Sequence, residues 1–191
     1  MTRILASVLL TLPALLLADT QGNCSKPFVA AMESGRQLSI SVRSGDVEIV
    51  GSKAALLKIT CRVRDGYRPE DVRISLAAGH LRIFGGPQNN VHIQIELPEK
   101  TNLLVRSTAG NMTMSGVTGD KDVELYAGDL TVLVGAPEDY RVAEGSVLAG
   151  DLNARAFGIV KDGLFRSFRK ESPRGQYRLR ARLLAGNLNL K

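Results

Sequence analysis

A chain of 191 residues fits one domain plus a leader, and its net charge of +6 comes with 5% aromatic residues and no tryptophan. That balance favours mild attraction to anionic surfaces such as envelope polysaccharide or lipid headgroups, beside its plainer role in solubility. The scarcity of aromatics argues against sugar stacking and against single-strand nucleic-acid binding, which interleaves aromatics with basic residues, and no nucleic-acid partner is expected.

Residues 1–18, MTRILASVLLTLPALLLA, read as a secretory signal peptide: Arg3 precedes an apolar run and the small Ala18 offers a cleavage position. The run is short for a membrane span and Pro13 interrupts it, so cleavage is expected rather than anchoring. Leu16, three residues before the cut, is larger than usual there. Removing the leader leaves 173 residues with a charge of +5 and no membrane span. Residues 19–37 are assigned to an N-terminal arm or cap and residues 38–191 to a repeat domain. The chain has two cysteines, Cys24 and Cys61. In an exported protein such a pair is most simply a disulfide; metal ligation needs more ligands than two thiols supply. Cys61 follows Leu57 and Ile59 on one face of LLKITCRV, so the bridge would tie the arm to the core.

From there the sequence repeats. Six runs align on a glycine: SGDVEI (Gly45), AGHLRI (Gly79), AGNMTM (Gly110), AGDLTV (Gly128), AGDLNA (Gly150) and AGNLNL (Gly186). Apolar residues alternate on both sides of each motif, the signature of half-buried strands. The parity flips at the glycine: Val123 and Leu125 precede Gly128, whereas Leu130 and Val132 follow it. A continuous strand cannot change faces in this way, so a bulge or tight corner must absorb one residue. Glycine adopts positive φ without steric cost, and Asp, Asn and His are the other residues enriched there. The six glycines are therefore read as structural bends, with the Asx side chains bonding locally.

The glycine spacings are 34, 31, 18, 22 and 36, consistent with a rung of about 18 residues in which some rungs lack the motif. The fold expected is all-β, a repetitive β-solenoid or β-roll-like stack of short strands; the alternative is an antiparallel β-sandwich. GIVKDGLFRSFRKESPRG, residues 158–175, loses the alternation. It is expected to be a loop or short helix covering the open end of the stack, with a basic surface-touching turn as the sharper reading.

The repeated SGD, AGD and AGN motifs, clearest in STAGNMTMSGVTGDKDVELYAGDLTV and in the terminal YRLRARLLAGNLNL, resemble a family of bacterial exported domains described as putative adhesins. The resemblance spans residues 38–191. It implies a β-solenoid-like fold and a surface role, and carries across no catalytic or binding residues.

Chemistry-bearing constellations are scarce. His80 stands in the Asx position of a repeat, and His92 is expected to face solvent opposite Ile93 and Ile95; neither has a nucleophile partner in view. Asp46, Asp129 and Asp151 suggest a calcium ladder, but Asn111, Asn187 and His80 fill the same position elsewhere, which favours hydrogen bonding over an anionic cage. No cofactor and no metal are expected. Arg178, Arg180 and Arg182 should project from one strand face as a positive stripe about 13 Å long at ~3.3 Å per residue. With Arg166 and Arg169 they are the candidate contacts for an anionic polysaccharide or lipid surface, or for a protein partner. The expected function is a non-enzymatic binding or structural module of the envelope or surface, in the periplasm or outside the cell. The rivals are a polysaccharide-acting β-helix enzyme using carboxylates such as Asp122 and Glu124, and a periplasmic scaffold that only self-associates.

Overall fold

The computed structural model describes residues 20–191; the leader expected at residues 1–18 lies outside the described residues. The strands are β1 (Thr20–Asn23), β2 (Phe28–Ala31), β3 (Gln37–Ser44), β4 (Asp46–Ser52), β5 (Leu56–Val63), β6 (Val72–Ala77), β7 (His80–Gly85), β8 (Val91–Pro98) and β9 (Asn102–Ala109). They continue with β10 (Met112–Ser115), β11 (Lys121–Ala127), β12 (Leu130–Val132), β13 (Tyr140–Ala149), β14 (Leu152–Ala154), β15 (Ile159–Lys161), β16 (Leu164–Glu171), β17 (Tyr177–Ala185) and β18 (Leu188–Leu190). The fold is all-β, with three short 3-10 turns and no α-helix among the described residues.

The strands form two nine-stranded mixed sheets. The first runs β1-β6-β7-β3-β9-β11-β17-β13-β16, and the second, read from the same end, β2-β5-β8-β4-β10-β12-β18-β14-β15. The two orders match level for level, each level pairing strands adjacent in the chain. Parallel strands need a crossover; here the strand of the opposite sheet supplies it. From β7 to β13 and from β8 to β14 the ladders are parallel. Antiparallel pairing occurs at the ends alone, so the antiparallel sandwich anticipated as the alternative describes the two ends and not the middle. Inward residues of both sheets, such as Ile40, Val105, Val123 and Leu183 against Ile49, Met114, Leu130 and Leu188, join in one core cluster. Burying each is worth roughly 1.5–3 kcal/mol, and because two short strands cannot cover their apolar residues alone, each level depends on its neighbours for burial.

Five of the six motif glycines turn the chain from the first sheet to the second, and the parity flip is the result: Val123 and Leu125 point inward on β11, Leu130 and Val132 on β12. Gly45, Gly110, Gly128, Gly186 and Gly150 all have φ between +109° and +130°. Close approach constrains them as much as φ does. A Cβ on Gly128 would lie 2.0 Å from the Gly110 carbonyl oxygen, and one on Gly110 2.1 Å from that of Gly45. The glycines thus stack as a spine with no room for side chains. Gly79 departs from the expectation: it closes a two-residue hairpin between β6 and β7 with Ala78 at φ 47°, because β6 returns within its own sheet. Asx bonding is also not local as expected. Asp46 Oδ1 accepts from Asn111 N (3.0 Å), Asn111 Oδ1 from Asp129 N (3.1 Å), and Asp129 Oδ1 from Asn187 N (3.0 Å). Each side chain satisfies the backbone of the next level, a ladder that ties residues up to 65 positions apart.

Both ends are closed by antiparallel strands. Residues 20–37 place β1 on β6 and β2 on β5, and the Cys24–Cys61 disulfide (Cα–Cα 5.3 Å) pins the arm to β5. At the far end the expected loop or short helix is instead the strand pair β15 and β16, laid on β14 and β13. Unpaired backbone groups on β13 outweigh the helical spacing of Leu164, Phe165 and Phe168, because an open edge leaves a row of donors and acceptors unmet. Phe168 enters the core where Gly145 leaves a gap; a Cβ there would meet its Cε1 at 2.4 Å. Phe168, Phe157 and Tyr140 form an aromatic plug with centroid separations of 5.7 and 6.5 Å. The last rung in the chain, β17–β18, does not end the stack: it is inserted between β11–β12 and β13–β14.

Candidate functional site

The outer face of the first sheet gathers most of the polar side chains singled out by the sequence. Residues immediately before the corner glycines are in register: Ser44 with Ala109, Ala109 with Ala127, Ala127 with Ala185, and Ala185 with Ala149. Outward positions therefore line up in rows across the strands. The row six residues before the glycines reads Ser39, Leu104, Asp122, Arg180, Glu144; the next reads Ser41, Arg106, Glu124, Arg182, Ser146; the row nearest the corners reads Arg43, Thr108, Tyr126, Leu184, Leu148.

The first two rows form a charge lattice. Arg106 bonds Asp122 (3.1 Å) and Glu124 (3.3 Å), and Arg182 reaches the same carboxylates at 3.5 and 3.0 Å. Arg180 Nε bonds Glu144 Oε2 at 3.0 Å, Arg169 Nη1 takes the other Glu144 oxygen, and Arg169 Nη2 pairs with Glu171 at 2.7 Å. Arg180, Arg182 and Arg169 are thus neutralised in place by carboxylates from neighbouring strands, and the positive stripe expected along β17 is not a free one. Exposed pairs of this kind are worth about 0–1 kcal/mol each, so the lattice mainly fixes side-chain positions. Arg178 has no carboxylate partner among the described residues; its backbone N–H donates to Asp120 Oδ1 at 2.8 Å. Arg166 is in register with inward-facing Val147 rather than with the lattice, and its Nε donates to the Asp162 carbonyl oxygen.

The lattice bears on acid–base chemistry. The Arg180 hydrogen bond, followed by the charges of Arg180 and Arg169, holds the Glu144 carboxyl below its ordinary range. A glycosidase general acid needs the opposite shift. His92 lies on the second sheet, its Nε2 3.9 Å from Glu48, and His80 opens β7 at the hairpin, exposed. Neither reaches the lattice. Among the described residues no group of three or more His, Cys, Asp or Glu side chains comes together as a metal site, and Asp46, Asn111, Asp129 and Asn187 are engaged in the ladder of the corners.

The row nearest the corners carries rings and leucines. Tyr126 is 60% exposed, Phe165 on the adjoining β16 77%, and Phe84 on β7 and Leu148 38% each. One trough of ≈410 Å³ lies among Tyr126, Leu148, Leu184, Phe165 and Arg182, and a second of ≈400 Å³ among Arg43, Arg82, Phe84, Arg106 and Tyr126. Arg82 stands 5.6 Å from the centre of the Phe84 ring. Neither Arg43 nor Arg82 has a carboxylate partner among the described residues. Sequence reasoning missed this row; its signal was the column two residues before each corner glycine.

Lys121 was also missed. It occupies an inward position of β11 in phase with Val123 and is 2% exposed. Its Nζ donates to Tyr140 Oη (2.7 Å) and to the Gly119 carbonyl (3.0 Å). Burial pushes the amine down to about 8, partly offset by Asp120, and pushes the Tyr140 phenol up to about 12.

No protein-family model matches the chain, and no curated protein does. Among solved structures it is similar in fold to a putative cell adhesion protein from Clostridium sporogenes, with a TM-score of 0.51 and 15% identity over 87% of this chain and 98% of that one. A putative adhesin from Bacteroides fragilis aligns over the same shares at 9% identity with a TM-score of 0.24.

Proposed function

We propose that this chain is a non-enzymatic, exported module of the bacterial cell envelope or surface, built as a β-solenoid-like stack whose outer sheet face engages other surfaces. The observation that carries this reading is the first sheet's outer face: a broad array of fixed charges with exposed rings beside it, suited to contact along its length rather than to enclosing a small substrate. The matched strand order of the two sheets and the glycine spine support the stack. The fold likeness to the Clostridium sporogenes protein supports adhesion as the class of role. In this reading residues 1–18 direct export, which suits a disulfide between Cys24 and Cys61. Arginine-bound Asp122, Glu124 and Glu144 suit positioning better than proton transfer.

The test is attachment. Beads coated with the purified protein are passed under flow over intact cells of the producing strain and over extracted envelope polysaccharide. Retention well above albumin-coated beads is expected. Retention equal to albumin on both surfaces would refute the reading.

A further inference from the structure

We infer that the row of outward side chains nearest the glycine corners is a binding track for an acidic polysaccharide lying across the strands of the first sheet. The inference rests on the surface-binding role proposed above and assigns it a place and a ligand class.

The argument starts from the aromatic residues. The chain has nine, four Tyr and five Phe, and the core buries Phe28, Tyr140, Phe157 and Phe168. Among the described residues the rings exposed to solvent are Tyr67, Phe84, Tyr126 and Phe165. Three of these four fall on one row of one sheet face. Phe84 follows Ile83, the partner of Val42, and so stands beside Arg43; Phe165 stands between the positions paired with Val147 and Ala149, beside Leu148. In the sheet order β7-β3-β9-β11-β17-β13-β16, the three rings sit at the first, fourth and seventh strands. At ~4.8 Å between strands they are roughly 14 Å apart along a track of about 29 Å. One strand step is close to the length of a pyranose ring in an extended glycan, so each ring meets about every third sugar. An exposed ring offers a flat apolar face to the C–H face of a pyranose and keeps little conformational entropy to lose.

The polar groups beside the track fix the chemical class. Arg43 and Arg82 flank the Phe84–Tyr126 half, and no carboxylate among the described residues neutralises them, while the nearby Glu124 is held by Arg106 and Arg182. Two guanidinium forks with no carboxylate partner among the described residues, that of Arg82 lying over the Phe84 ring, match carboxylate or sulfate groups on the chain. The next row, with Arg106, Glu124, Arg182 and Ser146, presents fixed donors and acceptors together, which suits sugar hydroxyls. Other occupants fit less well. A peptide strand would pair with a sheet edge rather than lie on a face. A second copy would set like-charged arginines of two tracks in contact. A lipid surface asks for a contiguous apolar patch, and this row is interrupted by Arg43 and Thr108.

The test is affinity chromatography and calorimetry of the purified protein with polygalacturonate, its methyl-esterified form, and phosphatidylglycerol vesicles. Binding to polygalacturonate and loss of at least tenfold in affinity on esterification are expected. Tyr126→Ser and Phe165→Ser leave the charge unchanged and should each weaken binding about tenfold. Arg43→Ser with Arg82→Ser should weaken it more, and Arg178→Ser should not change it. All these side chains are exposed, so unchanged melting temperatures certify the variants as folded. Equal binding by the ring variants would overturn the track, since generic charge attraction does not read rings; so would absence of binding to polygalacturonate, or a preference for the vesicles. If coated beads still attach to cells while the ring variants behave as the parent, the track fails and the surface-binding role stands. If the beads do not attach, the role itself fails.

Discussion

Gly128→Ala should cost this fold about 2–6 kcal/mol. Two terms contribute. At φ +130° an alanine occupies backbone space that is essentially reserved for glycine, at roughly 1–3 kcal/mol. Its Cβ would also sit 2.0 Å from the Gly110 carbonyl oxygen, and overpacking of this kind costs about 1–3 kcal/mol. The carbonyl cannot yield cheaply. Gly110 N donates to Ala127 O at 3.0 Å, Met112 N donates to Asp129 O at 2.8 Å, and Gly110 itself leaves no space against Gly45. For a domain of this size each kcal/mol lowers the melting temperature by roughly 2–4 °C, so a drop on the order of 10 °C is expected. Gly135→Ala is the control: φ is +75° and nothing lies within 4 Å of the added Cβ, leaving backbone strain alone at roughly 1–2 kcal/mol. Thermal unfolding followed by far-ultraviolet circular dichroism compares the two. Melting of both variants at the same temperature would show that the levels are not packed on a glycine spine.

Lys121 should make stability pH-dependent. Its amine falls from 10.5 to about 8 on folding, so between those values the unfolded chain holds more protons and stability rises with pH by roughly 3 kcal/mol. Above pH 10 the Tyr140 phenol, raised to about 12, reverses the slope, because the folded state then keeps a proton that the unfolded state has lost. In Lys121→Met the rise between pH 8 and 10 should vanish from urea-unfolding midpoints; its persistence would place the buried charge elsewhere. Gly145→Ala should destabilise by about 1–3 kcal/mol through its contact with Phe168, and Phe168→Leu in the same chain should recover part of the loss, which a double-mutant cycle measures. A chain ending at Gly186 loses Leu188 and Leu190, both 0% exposed, at about 2–5 kcal/mol each. It should fail to unfold cooperatively, because β18 lies inside the second sheet and not at its edge.

Much of the local structure was legible in the sequence because local structure obeys short-range rules. Alternation around Gly110, Gly128, Gly150 and Gly186 marks strands, and the parity flip demands a corner, since a pleated chain cannot change faces without one. The Cys24–Cys61 bridge was legible as the simplest pairing of the two cysteines in a chain expected to be exported. The same rules misread residues 158–175: helical spacing of three apolar residues carries less free energy than the open edge of β13. Gly79 shows the limit from the other side, since a motif of the same pattern, with His80 in the Asx position, closes a hairpin when the preceding strand turns back within its own sheet. The arginines of β17 were placed correctly on an outward face. That Glu144, Asp122 and Glu124 neutralise two of them was not legible, because those partners sit on strands whose adjacency depends on rung order.

The sequence by itself determined that this is a chain of short strands bent at glycines, with one apolar face per strand. Only the tertiary structure decided the order of the levels, with the C-terminal rung inserted inside the stack, and hence which outward columns become neighbours. The physical reason is that alternation and backbone sterics act between residues a few positions apart, whereas stacking compares whole rungs 18 to 65 residues apart, and rungs of near-identical pattern carry no local mark of which one each must pair with.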